Sequence, residues 1–600
     1  DYLVGFTLSV LDGSRELIRY TPPKPEAFTM PNPATPALAP EAIASNDELF
    51  LNGLHLEQYR HATYLPEDYY QEALRRDPLD SRCNNALGLL LYRRGKFAEA
   101  EVCFRTAIRS LTRRNPNPYT NEPFFHLGLA LTMQGQYAEA FDAFYKAIWD
   151  AACQDRGYLE LARLAARDGR FEDALDFVQR ALVRNAHHHA ARHLKIALLR
   201  HLGRTADAQR EAADALALDP LDFGARFEHS LLTGDETYRA LMRDNPHNYI
   251  EISLDYARAG QFAEAIALLQ QAPLTDPMVG YTLGWYHTQA GNVAAADAAF
   301  VEAARMTPDY CFPNLIESVP ALECAIRHQP DDARAPYYLG NFWYAHRCYT
   351  EAIDCWEQAR HLDPAFPTVH RNLGLAYLNK QGDPDRALVA YQQAFALDPT
   401  DARVFFELDQ LHKRLNQAPH ERLAWLEQHI GLVDQRDDLM IEYAAVLNLL
   451  GRHEEALDIL LARRFHPWEG GEGKVTGQYV ASLLQLAKAR LEQSDYAGAL
   501  ALLERARDYP HNLGEGRLYS IRENPIDYSL SCAYEGLGDA NAARHHFVEA
   551  STGSDEPTLP LYCVSRLSRS PAVLTATTRS RIRGVLGTTA APTVALTRKR

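Results

Sequence analysis

Along this 600-residue chain one phrase recurs, in which Leu-Gly and an aromatic or aliphatic stretch lead to a second glycine, an aromatic residue and two spaced alanines. Residues 86–107 read ALGLLLYRRGKFAEAEVCFRTA, and residues 126–147 repeat the pattern as HLGLALTMQGQYAEAFDAFYKA. Self-similarity with a period of roughly 34 residues and small residues at fixed places specifies paired antiparallel helices, each pair too small to bury its own apolar face and stacked on the next. The expected fold class is therefore all-α, a helical solenoid. Such an array grows by adding units, so its length sets no single-core limit.

The small residues give the expected geometry. At Gly88, Gly128, Gly284, Gly340 and Gly374 one helix can approach its partner where a larger side chain would intrude, and Gly95, Gly135, Gly169, Gly203, Gly260, Gly291, Gly451 and Gly538 sit where a helix C-cap enters the left-handed region. Asp219-Pro220, Asp363-Pro364 and Asp398-Pro399 close units, because proline cannot extend the preceding helix. Clear units run from 84–110 through 527–551, with weaker or half units at 221–245, 309–330 and 402–429. In combination these features resemble the tetratricopeptide repeat across residues 47–556. The resemblance implies a superhelix whose concave face holds a protein, peptide or glycan ligand.

Net charge and cysteine usage narrow the partners. A formal charge of −16 opposes a broad nucleic-acid footprint, which needs clustered Lys and Arg. No run approaches the roughly 18 apolar residues of a membrane span, so no membrane partner is expected. The nine cysteines are dispersed and odd in number, without a Cys-x-x-Cys, a usage that suits a reducing, cytoplasmic setting. No cofactor is expected, and self-association is left open.

The ends depart from the repeat. Residues 1–20 read as two β-runs around Asp12-Gly13, a hairpin that would be marginal alone and is expected to be the end of a truncated β domain. Residues 21–46 hold seven prolines and read as a stiff linker. Residues 557–600 are basic and rich in Ser, Thr and Ala. They read as a disordered tail, or as a basic segment for anionic partners.

Two interruptions carry the candidate chemistry. Residues 465–475 (FHPWEGGEGKV) and 509–518 (YPHNLGEGRL) each follow a second helix and contain Gly-Glu-Gly-Lys/Arg. Glycines there leave exposed amides beside a carboxylate and a cation, and Trp468 adds a broad apolar face of the kind that grips sugar rings or peptides. The candidate ligand-binding residues are His466, Trp468, Glu469, Glu472, Lys474, Asn512, Glu515 and Arg517. The alternative is that both loops are connectors whose charges only cap or pair. At the start of the array His55 shares a helical face with Tyr59, and Glu57 with His61. That makes a proton-transfer pair, a ligand-contacting strip, or a plain capping helix. His189 and His193 have metal-ligand spacing without further ligands nearby, and no metal site is expected. The common catalytic motifs are absent.

The run NGLHLEQYRHATYLPEDYYQEALRRDP at 52–78, with the two glycine-rich loops, resembles bacterial tetratricopeptide-repeat proteins that carry an N-terminal domain thought to be a galactose-mutarotase-like β-sandwich. That resemblance implies a link to carbohydrate metabolism and supplies no catalytic residue. Two functions are therefore carried forward. One is a binding scaffold. The other is a carbohydrate-active, glycoside-hydrolase-like enzyme, for which Glu57, Glu469, Glu472 and Glu515 are the candidate carboxylates.

Overall fold

A computed structural model describes residues 6–22, 35, 37–59, 63–518, 521 and 523–551. His61, half of the proline-rich stretch and the basic tail lie outside the described residues. The chain divides into two compact units, residues 1–299 with 315–321 and residues 300–314 with 322–600.

Helices pair as the repeat dictates. In the first unit Asn46–Tyr59 packs on Pro66–Arg76, Ser81–Arg93 on Phe97–Thr112, Glu122–Met133 on Tyr137–Ala147, Gln154–Arg167 on Phe171–Arg184, and His189–His201 on Thr205–Leu218. Phe223–Thr233 with the short Tyr238–Met242, then Pro246–Arg258 with Phe262–Leu269, follow. In the second unit the pairs are Arg334–Ala345 with Tyr349–Leu362, Pro367–Ala376 with Pro384–Leu397, Ala402–Arg414 with Pro419–Gln428, Asp437–Leu449 with His453–Ala462, Lys474–Glu492 with Tyr496–Arg505, and Asn524–Gly536 with Ala540–Ala550. The leading helix of each pair is called A and the following one B.

Glycine on helix A lets an aromatic ring of helix B lie on its backbone. A Cβ added at Gly88 would stand 2.6 Å from Phe104, at Gly128 2.5 Å from Phe144, and at Gly340 2.5 Å from Trp356, well inside contact distance. Gly53 does the same for Tyr70, at 2.4 Å, so the first pair is a full unit. The buried rings and the fully buried alanines of the B helices make the core, each large apolar side chain contributing roughly 1.5–3 kcal/mol.

Helix A normally ends in a left-handed residue seven positions after the small one, as in Gly88 to Gly95 (φ 74°) and Gly128 to Gly135 (φ 75°). Arg347, Asn416 and Ser494 hold that post without glycine, at φ 65°, 57° and 61°. Between Gly374 and Gly382 there is one residue more. The extra residue is absorbed as a π turn over Tyr377–Gln381, sealed by Asp383 N–H donating to Tyr377 O at 2.9 Å.

The hairpin expected at the start is present, with Leu8–Asp12 antiparallel to Arg15–Tyr20 around Gly13 (φ 60°). Part of the stretch read as a linker is tied down: Tyr69 Oη donates to Leu38 O at 3.0 Å, Arg76 donates to Ile43 O at 2.7 Å and Pro40 O at 3.2 Å, and Ile43 is buried. Backbone carbonyls of Pro40, Glu41, Ile43 and Ala44 thus take up the arginine that ends the first B helix.

In the first unit A helices far apart in sequence bond to each other. Arg163 pairs with Asp255 at 3.0 Å and Arg167 donates to Ala257 O at 2.9 Å, while Arg258 also pairs with Glu317, in the turn before Ser318–His328, at 2.9 Å. A Cβ on Gly260 would meet the Arg167 backbone at 2.9 Å. Helices Gln154–Arg167 and Pro246–Arg258 therefore touch.

Candidate functional site

The two glycine-rich loops of the second unit meet, because glycine allows turns that other residues resist. Gly473 and Gly514 are left-handed, at φ 75° and 78°, and a Cβ on Gly514 would stand 2.6 Å from Phe465 O. Phe465 N–H donates to Asn512 O at 2.7 Å, and the Asn512 amide donates to Leu460 O, Arg463 O and Leu461 O at 2.9, 2.9 and 3.2 Å, capping the helix that ends at Ala462. The Trp468 ring lies on Gly471, where a Cβ would stand 2.1 Å away. Together they bound a cleft of about 270 Å³ lined by His466, Pro467, Trp468, Glu469, Gly471, Glu472, Val475, Leu513 and Glu515.

The candidate residues have different duties there. Glu515 accepts from Gly473 N–H with both oxygens at 3.0 Å, and from the Thr476 hydroxyl at 3.2 Å, so it caps the helix starting at Lys474 from another loop. His466 is anchored by its backbone N–H to Asp437 at 2.9 Å while its ring stays exposed. Burial pushes the Asp437 carboxyl up, but the His466 N–H and the Arg463 guanidinium outweigh it and hold the group below the usual carboxylate range. Glu469, Glu472 and Lys474 are exposed, and Arg517 reaches Glu523 at 3.5 Å. Lys474, Asn512 and Arg517 do not line the cleft. Glu515→Ala is expected to lower the stability of this helix by about 1–2 kcal/mol, read as faster amide exchange at residues 473–477. Unchanged exchange there would contradict the capping role.

At the start of the first unit His55 and Tyr59 share a face, their rings 4.6 Å apart, and both are exposed. Glu57 is ion-paired to Arg93 and accepts from Tyr70 Oη at 3.3 Å, which commits its carboxylate to joining successive pairs. His189 hydrogen-bonds Asp222 at 2.9 Å, and His193 is buried edge-on against Tyr256. Among the described residues no group of three metal-ligating side chains converges.

A second cavity, absent from the sequence expectations, lies among three A helices of the second unit. It holds about 320 Å³ and is lined by Lys413 of Ala402–Arg414 and by Asn416 and Gln417 just after it, by Glu442, Val446, Asn448 and Leu449 of Asp437–Leu449, and by Gln478, Ala481 and Gln485 of Lys474–Glu492. Its floor is an ion chain. Arg422 donates to Asp409 at 3.0 and 2.6 Å and to Glu442 at 3.2 Å, and Lys413 donates to both Glu442 oxygens at 2.8 and 2.9 Å. Asp409 stands seven positions before the left-handed Asn416, where most other repeats keep glycine, alanine or serine. Burial disfavours the Arg422 cation, yet its carboxylate partners raise its pKa further. Asn448 is fixed by four bonds: its Nδ2 donates to Gln478 Oε1 at 3.1 Å and less closely to Gln478 O at 3.4 Å, while its Oδ1 accepts from Ser482 at 3.0 Å and meets His453 Nδ1 at 2.9 Å.

Comparison with known proteins agrees with the helix pairs. Tetratricopeptide-repeat family models match residues 67–110, 156–180, 372–401 and 439–462, and a TPR-repeat model matches 349–381. Tetratricopeptide repeat protein 37 of Xenopus laevis is 34% identical over 86 residues, a span of 14% of this chain and 6% of that relative's length. Among solved structures, a chain of Naa15/Naa10 bound to HypK-THB covers 90% of this chain and 99% of its own at 12% identity and a TM-score of 0.26. A chain of the APC/C hetero-tetramer Cut9-Hcn1 covers 88% and 98% at 13% identity and 0.23, and yeast Tom70 covers 75% and 99% at 14% identity and 0.21. The family-model matches show tetratricopeptide repeats at the residues they cover.

Proposed function

We propose that the protein is a repeat scaffold whose second unit captures a segment of a partner polypeptide in the groove formed by helices Ala402–Arg414, Asp437–Leu449 and Lys474–Glu492. What supports this reading is the contrast between the units. In the first, distant A helices bond to one another, whereas in the second three successive A helices leave a polar-walled cavity of about 320 Å³. A repeat scaffold offers many such side chains on rigid helices, which is the arrangement that peptide capture needs. A cytoplasmic setting belongs to the same reading, since the eight described cysteines are free thiols and four of them are buried.

The test is selection from a random peptide phage library on the full-length protein and on Gln485→Trp, which places an indole in the groove. Clones enriched on the parent and lost on the variant support the reading. Clones indifferent to the variant overturn it.

A second reading, glycan recognition linked to carbohydrate metabolism, is favoured by one observation: Trp468 lies in a cleft beside the exposed carboxylates of Glu469 and Glu472 and the exposed ring of His466. Its enzymatic form needs two free carboxylates, and Glu515 and Glu57 are both engaged by other groups of the fold. Glycan-array retention lost in Trp468→Ala would support it, and equal retention by both proteins would end it.

A further inference from the structure

The charged groups of the groove in the second unit satisfy one another, and that limits what the groove can hold. Lys413, Glu442, Arg422 and Asp409 form a continuous chain of two cations and two anions, with a formal sum of zero. Asp409 is fully buried, the Arg422 side chain is 4% exposed and that of Glu442 is 13% exposed. A ligand carboxylate would have to draw the buried Arg422 from its partners, because Lys413, 38% exposed, offers only a solvent-screened contact, and a ligand ammonium would have to draw Glu442. Either leaves a desolvated charge unpaired, which costs more than the new pair returns.

The polar capacity left over is carboxamide. Gln478, 7% exposed, is oriented by Asn448, which occupies its Oε1 and leaves its NH₂ as the remaining group. Gln417 Oε1 is buried with no partner among the described residues. Asn416 and Gln485 complete the set, and the apolar lining between them comes from Ala445, Val446, Leu449 and Ala481. A carboxamide offers one acceptor and one donor group, matching the C=O and N–H of a peptide unit. A helical ligand has already spent those groups internally, whereas an extended one presents them.

We infer, resting on the peptide-capture reading above, that the groove takes an extended, uncharged stretch of polypeptide with small side chains, bound through its backbone amides. Ion pairing contributes nothing to such a complex, so its affinity is insensitive to salt. An acidic or basic partner segment would instead lose affinity as screening rises.

The experiment uses three phage libraries of short peptides: one randomised over Ser, Thr, Asn, Gln, Ala, Val and Gly, one with Asp and Glu added, and one with Lys and Arg added. Each is selected on the full-length protein and on Gln485→Trp, whose thermal melt is compared with the parent's. The expected result is groove-dependent enrichment from the uncharged library, with an affinity that changes less than about twofold between about 0.05 and 0.5 M NaCl. Groove-dependent enrichment of charged clones, with affinity falling about tenfold or more over that range, overturns this inference and leaves peptide capture standing. Enrichment that ignores Gln485→Trp in all three libraries overturns both. Should the tryptophan variant melt early, Gln478→Ala, which removes the amide without adding bulk, takes its place with the same outcomes.

Discussion

Asp409→Ala lowers the stability of the second unit by about 3–5 kcal/mol, because it strands a buried guanidinium. Arg422 is 4% exposed and gives Asp409 a two-pronged interaction at 3.0 and 2.6 Å, so after the substitution only its longer contact to Glu442 remains. Urea unfolding, combined with amide exchange in peptides spanning residues 402–449, measures the loss. The double variant Asp409→Leu, Arg422→Met regains most of it, since an apolar pair of similar volume has no desolvation cost. A loss under about 1 kcal/mol for the single variant would show that the pair is hydrated and that the floor of the groove is not the rigid ion chain described above.

Glu228→Ala has a comparable effect, about 3–5 kcal/mol, in the first unit. Glu228 is fully buried and accepts from Arg200 at 2.8 and 3.0 Å and from the Tyr256 hydroxyl at 2.6 Å. Burial first, and the adjacent Glu228 carboxylate second, push the Tyr256 phenol well above its usual range. Removing the carboxylate leaves Arg200 only its longer contact to Glu264 at 3.3 Å and orphans a buried hydroxyl. Glu228→Gln keeps an acceptor for one of them and costs about 1–3 kcal/mol. The same network gives a sign for pH. Burial raises the pKa of Glu264, but the His201 hydrogen bond at 2.8 Å and the nearby Arg200 bring it below the usual glutamate value. Its contribution is then present above the unfolded-state value and is lost as pH falls through the folded one. Denaturant midpoints measured from neutral to acid pH check this, and a midpoint in Glu264→Gln that falls as steeply as the parent's would contradict it.

The helix pairs were legible from short-range spacing, since Gly88, Gly128 and Gly340 each state that a ring lies on the backbone there. The meeting of the two glycine-rich loops was also foreshadowed by their doubled Gly-Glu-Gly pattern. What the pattern did not reveal was the duty of Glu515, since a carboxylate capping a helix from another loop reads like one awaiting a ligand. The groove was less visible still. Lys413, Glu442 and Gln478 sit in three different repeats at positions that read as ordinary solvated charge, and only their stacking brings them together. One trace was present: Asp409 occupies a glycine post within 402–429, the segment whose repeat pattern was weak. A carboxylate placed where a helix must be approached closely requires a buried partner, and Arg422 is that partner. The division of the helices into two units left no mark on the period beyond the weak unit at 309–330.

Photo-crosslinking places a bound peptide most directly. A photoreactive phenylalanine is introduced at Gln485 in the groove, at Trp468 in the loop cleft, or at Val389 on the exposed side of helix Pro384–Leu397, and each protein is irradiated with a peptide selected on the parent. Capture in the groove predicts a crosslink from position 485 and none from 468 or 389. A crosslink from 468 or 389 with none from 485 would contradict it.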